Sequence, residues 1–450
     1  MHRCGRSRRE PLALDGEPSP SHYNVGDHRG STNGMSTCGN RWPLVVLFLV
    51  AVLLRLAAIH WLAATPQRDE LDNHRLAVTL LAGEGYAVTP GHPTTSLPPV
   101  YPAFIASVYA LSRPDYRIVW YVQALLNASL VFLLFHLGRL LFSESVGYLA
   151  AGAHALHPSF EIVTTLYREN LLILLLVALC YCLVWGIKED RSGLLFLAGG
   201  ATGLLVLTNP IYLFLPLSII AGASLDRRLR PCLRRLLVVA LVPVVMWLPW
   251  QARNSLHPEG HAEADSYRHF TLMFGHYPVF SGDFWWTLSD MRRLEAEREQ
   301  AREFLRQREQ ADVGRPVEER LARDSRELID RILHRPFAYL RFVVNRDLIL
   351  LVSPPPGSSA LREWHPVLGW VAFGGNALFV LVSVLFLLRR YQYDATVFPF
   401  IVVLTYLLIV YGLIHAIRRY GYVLEPMWCV FGSAALYRLG ARLKQEYLHR

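Results

Sequence analysis

The sequence predicts an all-α polytopic membrane protein with about ten membrane-spanning helices, on the grounds of composition and hydrophobic patterning. Hydrophobic residues make up 53% of the 450-residue chain and charged residues only 18%, whereas roughly 25% of the residues of a soluble domain are charged. Apolar stretches long enough to cross a hydrocarbon core of ~30 Å recur from Trp42 onward. The net charge of +9 therefore indicates arginine-rich loops. It does not indicate nucleic-acid binding, because the sequence has no stripe of basic residues interleaved with aromatic ones.

The amino-terminal segment 1–41 has no hydrophobic periodicity and is rich in arginine, proline, serine and glycine. A segment of this composition buries too little apolar surface to fold, so we expect a disordered cytoplasmic tail. Both Met1 and Met35 are compatible with the start of the protein. The apolar segment 42–63 is too long for the core of a signal peptide and lacks a small-residue cleavage site, so we expect it to be kept as the first span.

The predicted spans are 42–63, 118–142, 146–163, 170–187, 193–207, 210–225, 236–251, 366–388, 395–414 and 422–439. The apolar segment 98–111 is too short to cross comfortably and begins with two prolines, so we expect an interfacial helix on the outer surface. This choice puts the arginine-rich loop 226–235 and the carboxy-terminal tail in the cytoplasm, in agreement with the positive-inside rule.

The chain then divides into an amino-terminal membrane module (42–251) with an external first loop (64–117), an external helical region (252–365) and a carboxy-terminal membrane module (366–450). In the external region the segments 287–311 and 316–333 are predicted helices. In the second segment, Leu321, Leu328 and Ile332 form one apolar face. Glu327 and Arg331 are spaced as an ion pair along the second of these helices.

Polar residues gather in the predicted external loops. Acids in the first loop lie close to the end of the first span, where they are unfavourable unless they pair or function. Two arginines in the last external loop oppose the inside bias of basic residues and so need a functional reason. The groups on this face are Asp69, Glu70, Asp72, His157, Arg168, Glu169, Arg253, Asn254, His276, Arg418, Arg419 and Tyr420. Loops so far apart in sequence carry these groups to one membrane surface, which favours a site.

The motifs in these loops resemble those of the GT-C membrane glycosyltransferases, and the closest branch is that of the protein O-mannosyltransferases and lipid A aminoarabinose transferases. The first-loop pattern of this family falls on Asp69, Asn73, Ala77, Gly83, Gly85, Tyr86, Pro98, Pro99, Tyr101 and Pro102. Asn73 departs from the aromatic residue usual in the family. The segments 249–254 (PWQARN) and 418–426 (RRYGYVLEP) resemble further family signatures.

The resemblance implies a GT-C-like bundle with interfacial helices and an inverting sugar transfer by direct displacement. The donor would be a polyprenyl-phosphate monosaccharide and the acceptor a hydroxyl or amine of a lipid, glycan or protein at the outer face of the cytoplasmic (inner) membrane. Asp69 would be the catalytic base, with Asp72 as the alternative and Glu169 as a further catalytic candidate. Residues that would bind the donor are Arg253, Asn254, His276, Arg418, Arg419 and Tyr420, with Glu70, Tyr86 and Tyr101 in support.

Other interpretations remain open at this stage. A lipid or solute transporter, or a flippase for the same carriers, would also use outward-facing arginines, but would need interrupted helices and a mirrored cytoplasmic site. Asp69 could instead be an interfacial acid that pairs with Arg68 or Arg75. Arg55, past the midpoint of the first span, either extends to the surface or pairs inside the bundle. The histidines lack the spacing of a zinc site, while a carboxylate-bound divalent cation stays open.

Overall fold

The computed structural model describes residues 41–62, 65–67, 69–281, 291–352, 366–414 and 418–448. Trp42–Arg450 form one compact unit. The predicted tail 1–41, except Arg41, and the choice between Met1 and Met35 lie outside the described residues, as does Arg68.

The described part of the chain is almost entirely helical. Its α-helices are α1 (Trp42–Leu62), α2 (Asp69–Leu81), α3 (Val100–Ala110), α4 (Tyr116–Leu141), α5 (Glu144–Leu156), α6 (Glu169–Lys188), α7 (Ser192–Thr208), α8 (Leu215–Leu225), α9 (Leu233–Ser255), α10 (His261–Gly275), α11 (Tyr277–Phe280), α12 (Met291–Ala311), α13 (Val317–His334), α14 (Pro336–Val352), α15 (Pro366–Tyr393), α16 (Phe398–Leu413) and α17 (Glu425–Leu448). Short 3₁₀ helices include Pro158–Thr164 and Arg418–Leu424. Between α2 and α3, the strands Ala87–Thr89 and His92–Pro93 form an antiparallel hairpin.

The chain is a multi-pass membrane protein, as the sequence predicted. Six described helical stretches are long and apolar enough to cross a membrane: Trp42–Leu62, Tyr116–Leu141, Glu169–Lys188, Arg230–Ser255, Phe373–Tyr393 and Ala395–Leu413. Helices α3 and α7 and the stretch Pro210–Leu225 are shorter apolar helices. The eleven residues of α3 extend over only about 17 Å, which is too short to cross a membrane. The total of about ten spans stays a prediction.

The helical boundaries differ from the predicted ones at prolines. The predicted span 146–163 is divided: α5 ends at Leu156, His157 is extended, and a 3₁₀ helix starts at Pro158. A residue that precedes proline disfavours the α conformation, which explains the break. Pro336 begins a further helix, α14, since the first helical position needs no N–H donor.

Helices α4 and α5 pack backbone against backbone in the membrane core. A methyl group at Gly147 of α5 would come within 2.5 Å of the carbonyl oxygen of Phe135 in α4, so only glycine permits this approach. The partners of α5 on its other faces are α1 and α17. This packing sets the position at which the chain leaves α5 and enters the segment that leads to α6.

Helices α12 and α13 are close to the positions predicted for them in sequence, although residues 282–290 lie outside the described residues. The predicted pair Glu327–Arg331 forms, with 3.0 Å between Arg331 Nε and Glu327 Oε1. Arg308 of α12 contacts Asp324 of α13 at 2.6 Å, and Asp324 also contacts His269 of α10 at 2.6 Å. This ionic cluster around the buried Asp324 connects α10 with α12 and α13.

Candidate active site

A cavity of about 260 Å³ opens at the end of the bundle where the predicted external loops meet. Its walls come from the first turn of α2, the loop before α3, the start of α6, the end of α7, helix α10 and the 3₁₀ helix Arg418–Leu424. Of the predicted site residues, Asp69, Asp72, Tyr101, Glu169 and Arg419 line this cavity. Residues separated by 350 positions in sequence are therefore neighbours in the fold.

Arg419 is the central cation of the cavity. Its Nε atom lies 3.3 Å from Oε1 of Glu169, and its Nη2 atom lies 3.4 Å from Oδ2 of Asp69. The guanidinium also lies over the ring of Tyr167, 4.0 Å from the ring centroid. Burial opposes the charged form, but the negative charge of Glu169 and smaller contributions from Tyr420, Tyr167 and Asp69 raise the pKa of Arg419 above its ordinary value. Arg419 is therefore a permanent cation that contacts two carboxylates.

Glu169 is almost fully buried in the cavity wall, with 1% of its surface exposed. It is the first residue of α6, where the helix dipole favours a negative charge. Neither of its carboxylate oxygens accepts a hydrogen bond from the described residues, since the contact with Arg419 is poorly aligned for one. A buried carboxylate that keeps free acceptor sites in a cavity is available for a ligand or a ligand-bound proton.

Asp69 and Asp72 lie in the first turn of α2, a helix within the predicted first loop 64–117. The side chain of Asp69 is half exposed, and Asp72 is 3.7 Å from Arg75. Burial, opposed by Arg75, raises the pKa of Asp72. Asp69 thus contacts the cavity arginine Arg419, whereas it is Asp72 and not Asp69 that pairs with Arg75. The role of Asp69 as the base stays a prediction.

Arg168 also lines the cavity, directly before Glu169 in sequence. Its backbone carbonyl accepts hydrogen bonds from Leu171 and Leu172, whereas its guanidinium donates none to a described residue. Burial opposes its charge, but Tyr267, the negative charge of Glu169 and Tyr420 raise the pKa of Arg168 above its ordinary value. The cavity therefore holds a second cation whose donors are available to a ligand.

A set of side chains holds the segment before α6 in place. Oε1 of Glu70 accepts a hydrogen bond from the backbone N–H of Leu166 at 2.8 Å, and Nδ2 of Asn73 donates to the carbonyl of Leu166 at 3.2 Å. Burial raises the pKa of Glu70, although the N–H of Leu166 opposes this shift. Asn73 replaces the usual aromatic residue and here has a clear structural use. Both residues fix Glu169 relative to Asp69.

Tyr101 supports the same segment from the other side. Its hydroxyl donates to Oε1 of Gln123 at 2.7 Å, and Nε2 of Gln123 donates to the carbonyls of Val163 and Thr165 at 3.3 and 2.9 Å. Tyr101 is 1% exposed although it borders the cavity. Its hydroxyl is therefore occupied by the structural contact with Gln123.

Arg253 holds the hairpin rather than lining the cavity. Its Nη1 donates to the carbonyl of Thr94 at 2.6 Å and its Nη2 to the carbonyl of Tyr86 at 3.2 Å. The guanidinium also lies 5.3 Å from the ring of Tyr86 and 5.1 Å from that of Trp250. The hydroxyl of Tyr86 donates to the carbonyl of Pro98 at 2.9 Å. Through Arg253, the PWQARN motif thus connects the hairpin of the predicted first loop to the end of α9.

The predicted donor-binding residues Asn254, His276 and Tyr420 are not among the residues that line this cavity. Oδ1 of Asn254 accepts from Arg253 at 3.0 Å, and the ring nitrogens of His276 contact the carbonyls of Leu272 and Leu413 at 3.0 and 2.9 Å. Tyr420 stacks on Tyr411, with ring centroids 4.6 Å apart. The side chain of Arg418 lies outside the described residues, although its backbone begins the 3₁₀ helix.

Sequence reasoning missed several residues of the cavity wall. Tyr167 could have been found as the neighbour of Arg168 and Glu169, but Glu263 and Tyr267 of α10 carry no motif. Oε1 of Glu263 accepts a hydrogen bond from Ser96 at 3.0 Å, which connects α10 to the first external loop. Only the tertiary fold brings this helix to the cavity. Among the described residues, no group of three or more side chains suited to a metal ion is found.

Residues 96–250 match the family model of the dolichyl-phosphate-mannose-protein mannosyltransferases. This stretch runs from the loop before α3 into α9 and includes Tyr101, Arg168 and Glu169. A comparison with curated proteins finds no match.

The fold is similar to that of the oligosaccharyltransferase of Archaeoglobus fulgidus solved with zinc and sulfate, with a TM-score of 0.53, 14% identity, and coverage of 89% of this chain and 49% of that one. The archaeal oligosaccharyltransferase AglB of the same organism, in complex with an inhibitory peptide and a dolichol-phosphate, matches with a TM-score of 0.51, 13% identity, and coverage of 90% and 51%. ArnT from Cupriavidus metallidurans bound to undecaprenyl phosphate gives a TM-score of 0.46, 15% identity, and coverage of 89% and 78%. The chain thus spans about half the length of the first two structures. The resemblance predicted from the loop motifs is confirmed.

Proposed function

We propose that this chain, which has the fold of the GT-C membrane glycosyltransferases, transfers a sugar from a polyprenyl-phosphate monosaccharide to a lipid, glycan or protein acceptor. We place the reaction at the outer face of the cytoplasmic membrane. The observation that carries the proposal is the cavity in which Arg419 contacts both Asp69 and Glu169, with Arg168 beside them. A cavity at the end of a membrane bundle is open to a lipid headgroup and to an acceptor at the same time.

The reaction would be a direct displacement at the anomeric carbon. The oxygen or nitrogen of the acceptor forms a bond to that carbon, and the bond from the carbon to the phosphate oxygen breaks. The electron pair of the broken bond stays on the phosphate, so polyprenyl phosphate leaves with one more negative charge. The proton of the acceptor passes to a carboxylate. Attack opposite to the leaving group inverts the configuration of the anomeric carbon.

Arg419 and Arg168 would stabilise the leaving phosphate. Negative charge develops on phosphate as the glycosidic bond breaks, and fixed cations that face this charge lower the barrier. The two contacts of Arg419 with carboxylates are longer than the 2.7–2.9 Å of strong charge-assisted hydrogen bonds, so its donors can turn to phosphate. Glu169 would hold the guanidinium in place and keep the pocket's charge balanced before the donor binds.

Asp69 would be the general base. Its side chain is half exposed, which allows an acceptor to reach it, and it lies at the cavity rim within contact of Arg419. Asp72 is the alternative, because it lines the same cavity from the same first turn of α2. Arg253, Asn254 and His276 would act in support, because their polar groups are occupied by contacts within the protein. To bind the lipid-linked sugar directly, these residues would have to break their contacts within the protein and form contacts with the lipid phosphate instead.

The first test compares surface glycans, lipids and glycoproteins of a deletion strain with those of a complemented strain by mass spectrometry. We expect one glycan-modified species to disappear on deletion and the unmodified acceptor to accumulate. Asp69→Asn should fail to restore the species, since loss of a general base lowers rates by about 10²–10⁴-fold. Glu84→Gln, which removes an exposed acid in the turn after α2, is the matched control and should restore it.

Identical glycan, lipid and protein profiles in the deleted and complemented strains would contradict the proposed function. Full activity of Asp69→Asn together with an inactive Asp72→Asn variant would move the base to Asp72 and leave the rest of the proposal in place. Membrane levels of each variant, measured by immunoblot, separate loss of chemistry from loss of protein.

A further inference from the structure

A chain of buried polar contacts crosses the membrane bundle away from the cavity. It runs from Arg55 of α1 through His154 of α5 to Glu425, the first residue of α17, and these side chains are 0%, 1% and 3% exposed. Nη2 of Arg55 lies 3.2 Å from Nε2 of His154, and Nδ1 of His154 lies 3.0 Å from Oε2 of Glu425. The proposed chemistry uses none of these groups.

Neighbouring groups satisfy the rest of this network. Nε of Arg55 donates to Oδ1 of Asn127 at 2.6 Å, and its Nη1 donates to the carbonyl of Ala51 at 3.0 Å. Sγ of Cys429 donates to Oε1 of Glu425 at 2.8 Å. Since a carboxylate can only accept, Nδ1 of His154 must carry the hydrogen that it shares with Glu425. Arg55 supplies the positive charge and Glu425 the negative charge.

Such a network is a poor way to add stability. Burying a pair of charges removes their hydration, and well-packed apolar side chains of the same volume often stabilise a protein as much or more. What a buried ionic network can provide is register, because sliding one helix leaves a charge without its partner. Here the network fixes the start of α17 against α1 and α5.

The start of α17 directly follows the element that carries the cavity arginine Arg419. Glu425 directly follows the 3₁₀ helix Arg418–Leu424, which carries Arg419. In the same 3₁₀ helix, the hydroxyl of Tyr422 donates to Oε1 of the buried Glu161 at 2.8 Å. Glu161 belongs to the 3₁₀ helix Pro158–Thr164, upstream of Glu169. A shift of α17 by one residue, about 1.5 Å, would therefore disturb the contact of Arg419 with Glu169.

We propose that Glu425, held by His154 and Arg55, is a positioning residue that sets the guanidinium of Arg419 in the cavity. It acts on the ligand only through Arg419. Its effect on ligand binding rests on the proposed function, in which Arg419 contacts the phosphate of the donor. Its effect on the 3₁₀ helix does not depend on any ligand.

The test uses the full-length protein in lipid nanodiscs and farnesyl phosphate as a short-chain probe of the lipid phosphate. Binding is measured for wild type, Glu425→Gln, Arg419→Ala and the double variant. Glu425→Gln should weaken binding on the order of tenfold, within the range expected for a residue coupled to a site at a distance. In the double variant the Glu425 substitution should cause no further loss, because it acts through a side chain already removed. Losses that multiply in the double variant would overturn the proposal.

Hydrogen–deuterium exchange supplies a readout that needs no ligand. Residues 418–424 should exchange faster in Glu425→Gln than in wild type. Ser383→Ala is the matched control: it removes a buried hydrogen bond from α15 to the carbonyl of Trp428 in α17, 3.2 Å long, but leaves the ionic network intact. It should leave exchange of residues 418–424 unchanged. Wild-type exchange of this segment in Glu425→Gln would overturn the proposal.

If Glu425→Gln fails to fold, the double variant Arg55→Met/Glu425→Met takes its place, because it leaves no uncompensated buried charge. It should show the same faster exchange of residues 418–424, and wild-type exchange there would overturn the proposal. Should Arg419→Ala bind farnesyl phosphate as tightly as wild type, the phosphate role in the proposed function is contradicted, while the exchange experiment still decides the positioning role of Glu425.

Discussion

At the scale of single residues, the cavity depends on the planar guanidinium of Arg419. Two different nitrogens of one side chain face Glu169 and Asp69, and the flat face of the group stacks on Tyr167. A lysine ammonium is a compact point charge on a flexible stem and can reproduce neither the fork nor the stacking. Charge alone would tolerate lysine, whereas this geometry does not.

Arg419→Lys should therefore lower sugar transfer by about 10²-fold, the range seen when one donor to a developing negative charge is lost. The measurement is the rate at which the modified glycan reappears in the complemented deletion strain. Arg113→Lys is the matched control, since Arg113 forms an exposed ion pair with Asp115 outside the cavity. Equal rates for Arg419→Lys and wild type would show that charge without geometry is sufficient.

At the scale of elements, the sequence predicts the positions of the helices better than it predicts which helices contribute residues to the site. The apolar runs and the prolines predict the spans and the external helices, apart from the break at His157 and the new helix at Pro336. The acids of α2 were found because they follow the first predicted span in a loop with a recognisable motif, and Glu169 because it directly precedes a predicted span. Helix α10 gave no such signal, because its Glu263 and Tyr267 belong to no motif and reach the cavity only in the tertiary fold.

The arginines show the same limit of prediction from sequence motifs. A sequence motif identifies that Arg253 and Arg419 matter, but it does not say whether a guanidinium faces a cavity or a backbone carbonyl. Arg253 contacts the carbonyls of Tyr86 and Thr94, while Arg168, which lies in the cavity wall, was not among the predicted donor ligands. These assignments depend on tertiary contacts between segments more than 150 residues apart.

His276 gives a pH test of the contact between α10 and α16. Burial, with a smaller contribution from the positive charge of Arg346, lowers the pKa of His276 to about 4. In the unfolded chain the pKa of this histidine is near the ordinary value of about 6.5. Between about pH 6.5 and pH 4 the unfolded chain is therefore protonated at His276, whereas the folded protein is not. Stability associated with His276 should be full above about pH 6.5 and should fall as the pH drops from there toward 4.

Thermal unfolding of the purified protein between about pH 7 and pH 4.5 measures this effect. His276→Gln, which cannot take up a proton, should lose less of its unfolding temperature over that range than wild type does. Parallel pH curves for the two proteins would mean that His276 takes up its proton equally in the folded and unfolded states.

At the scale of the whole molecule, the charge distribution predicts which end of the bundle faces the cell exterior. The short connections predicted to lie at the cavity end are poor in lysine and arginine apart from Arg168, Arg418 and Arg419. The loop 226–235 is rich in arginine, which is typical of cytoplasmic loops. Asp226 and Arg228 of this loop form a 2.7 Å ion pair, and Arg228 stacks on Tyr391 of α15.

Cysteine labelling of intact cells with a membrane-impermeant reagent tests this orientation. Ser281→Cys, an exposed position after α11, should be labelled from outside, whereas Cys232 should react only after the cells are permeabilised. Labelling of Cys232 but not of position 281 in intact cells would put the cavity on the cytoplasmic side.

The central claim is that the cavity around Arg419 receives the phosphate of a polyprenyl carrier. A structure of the full-length protein with bound undecaprenyl phosphate tests it most directly. We predict phosphate oxygens within hydrogen-bond distance, about 3 Å, of the guanidinium groups of Arg419 and Arg168, with the lipid chain along the membrane helices. A phosphate bound elsewhere, out of reach of both guanidinium groups, would contradict the account.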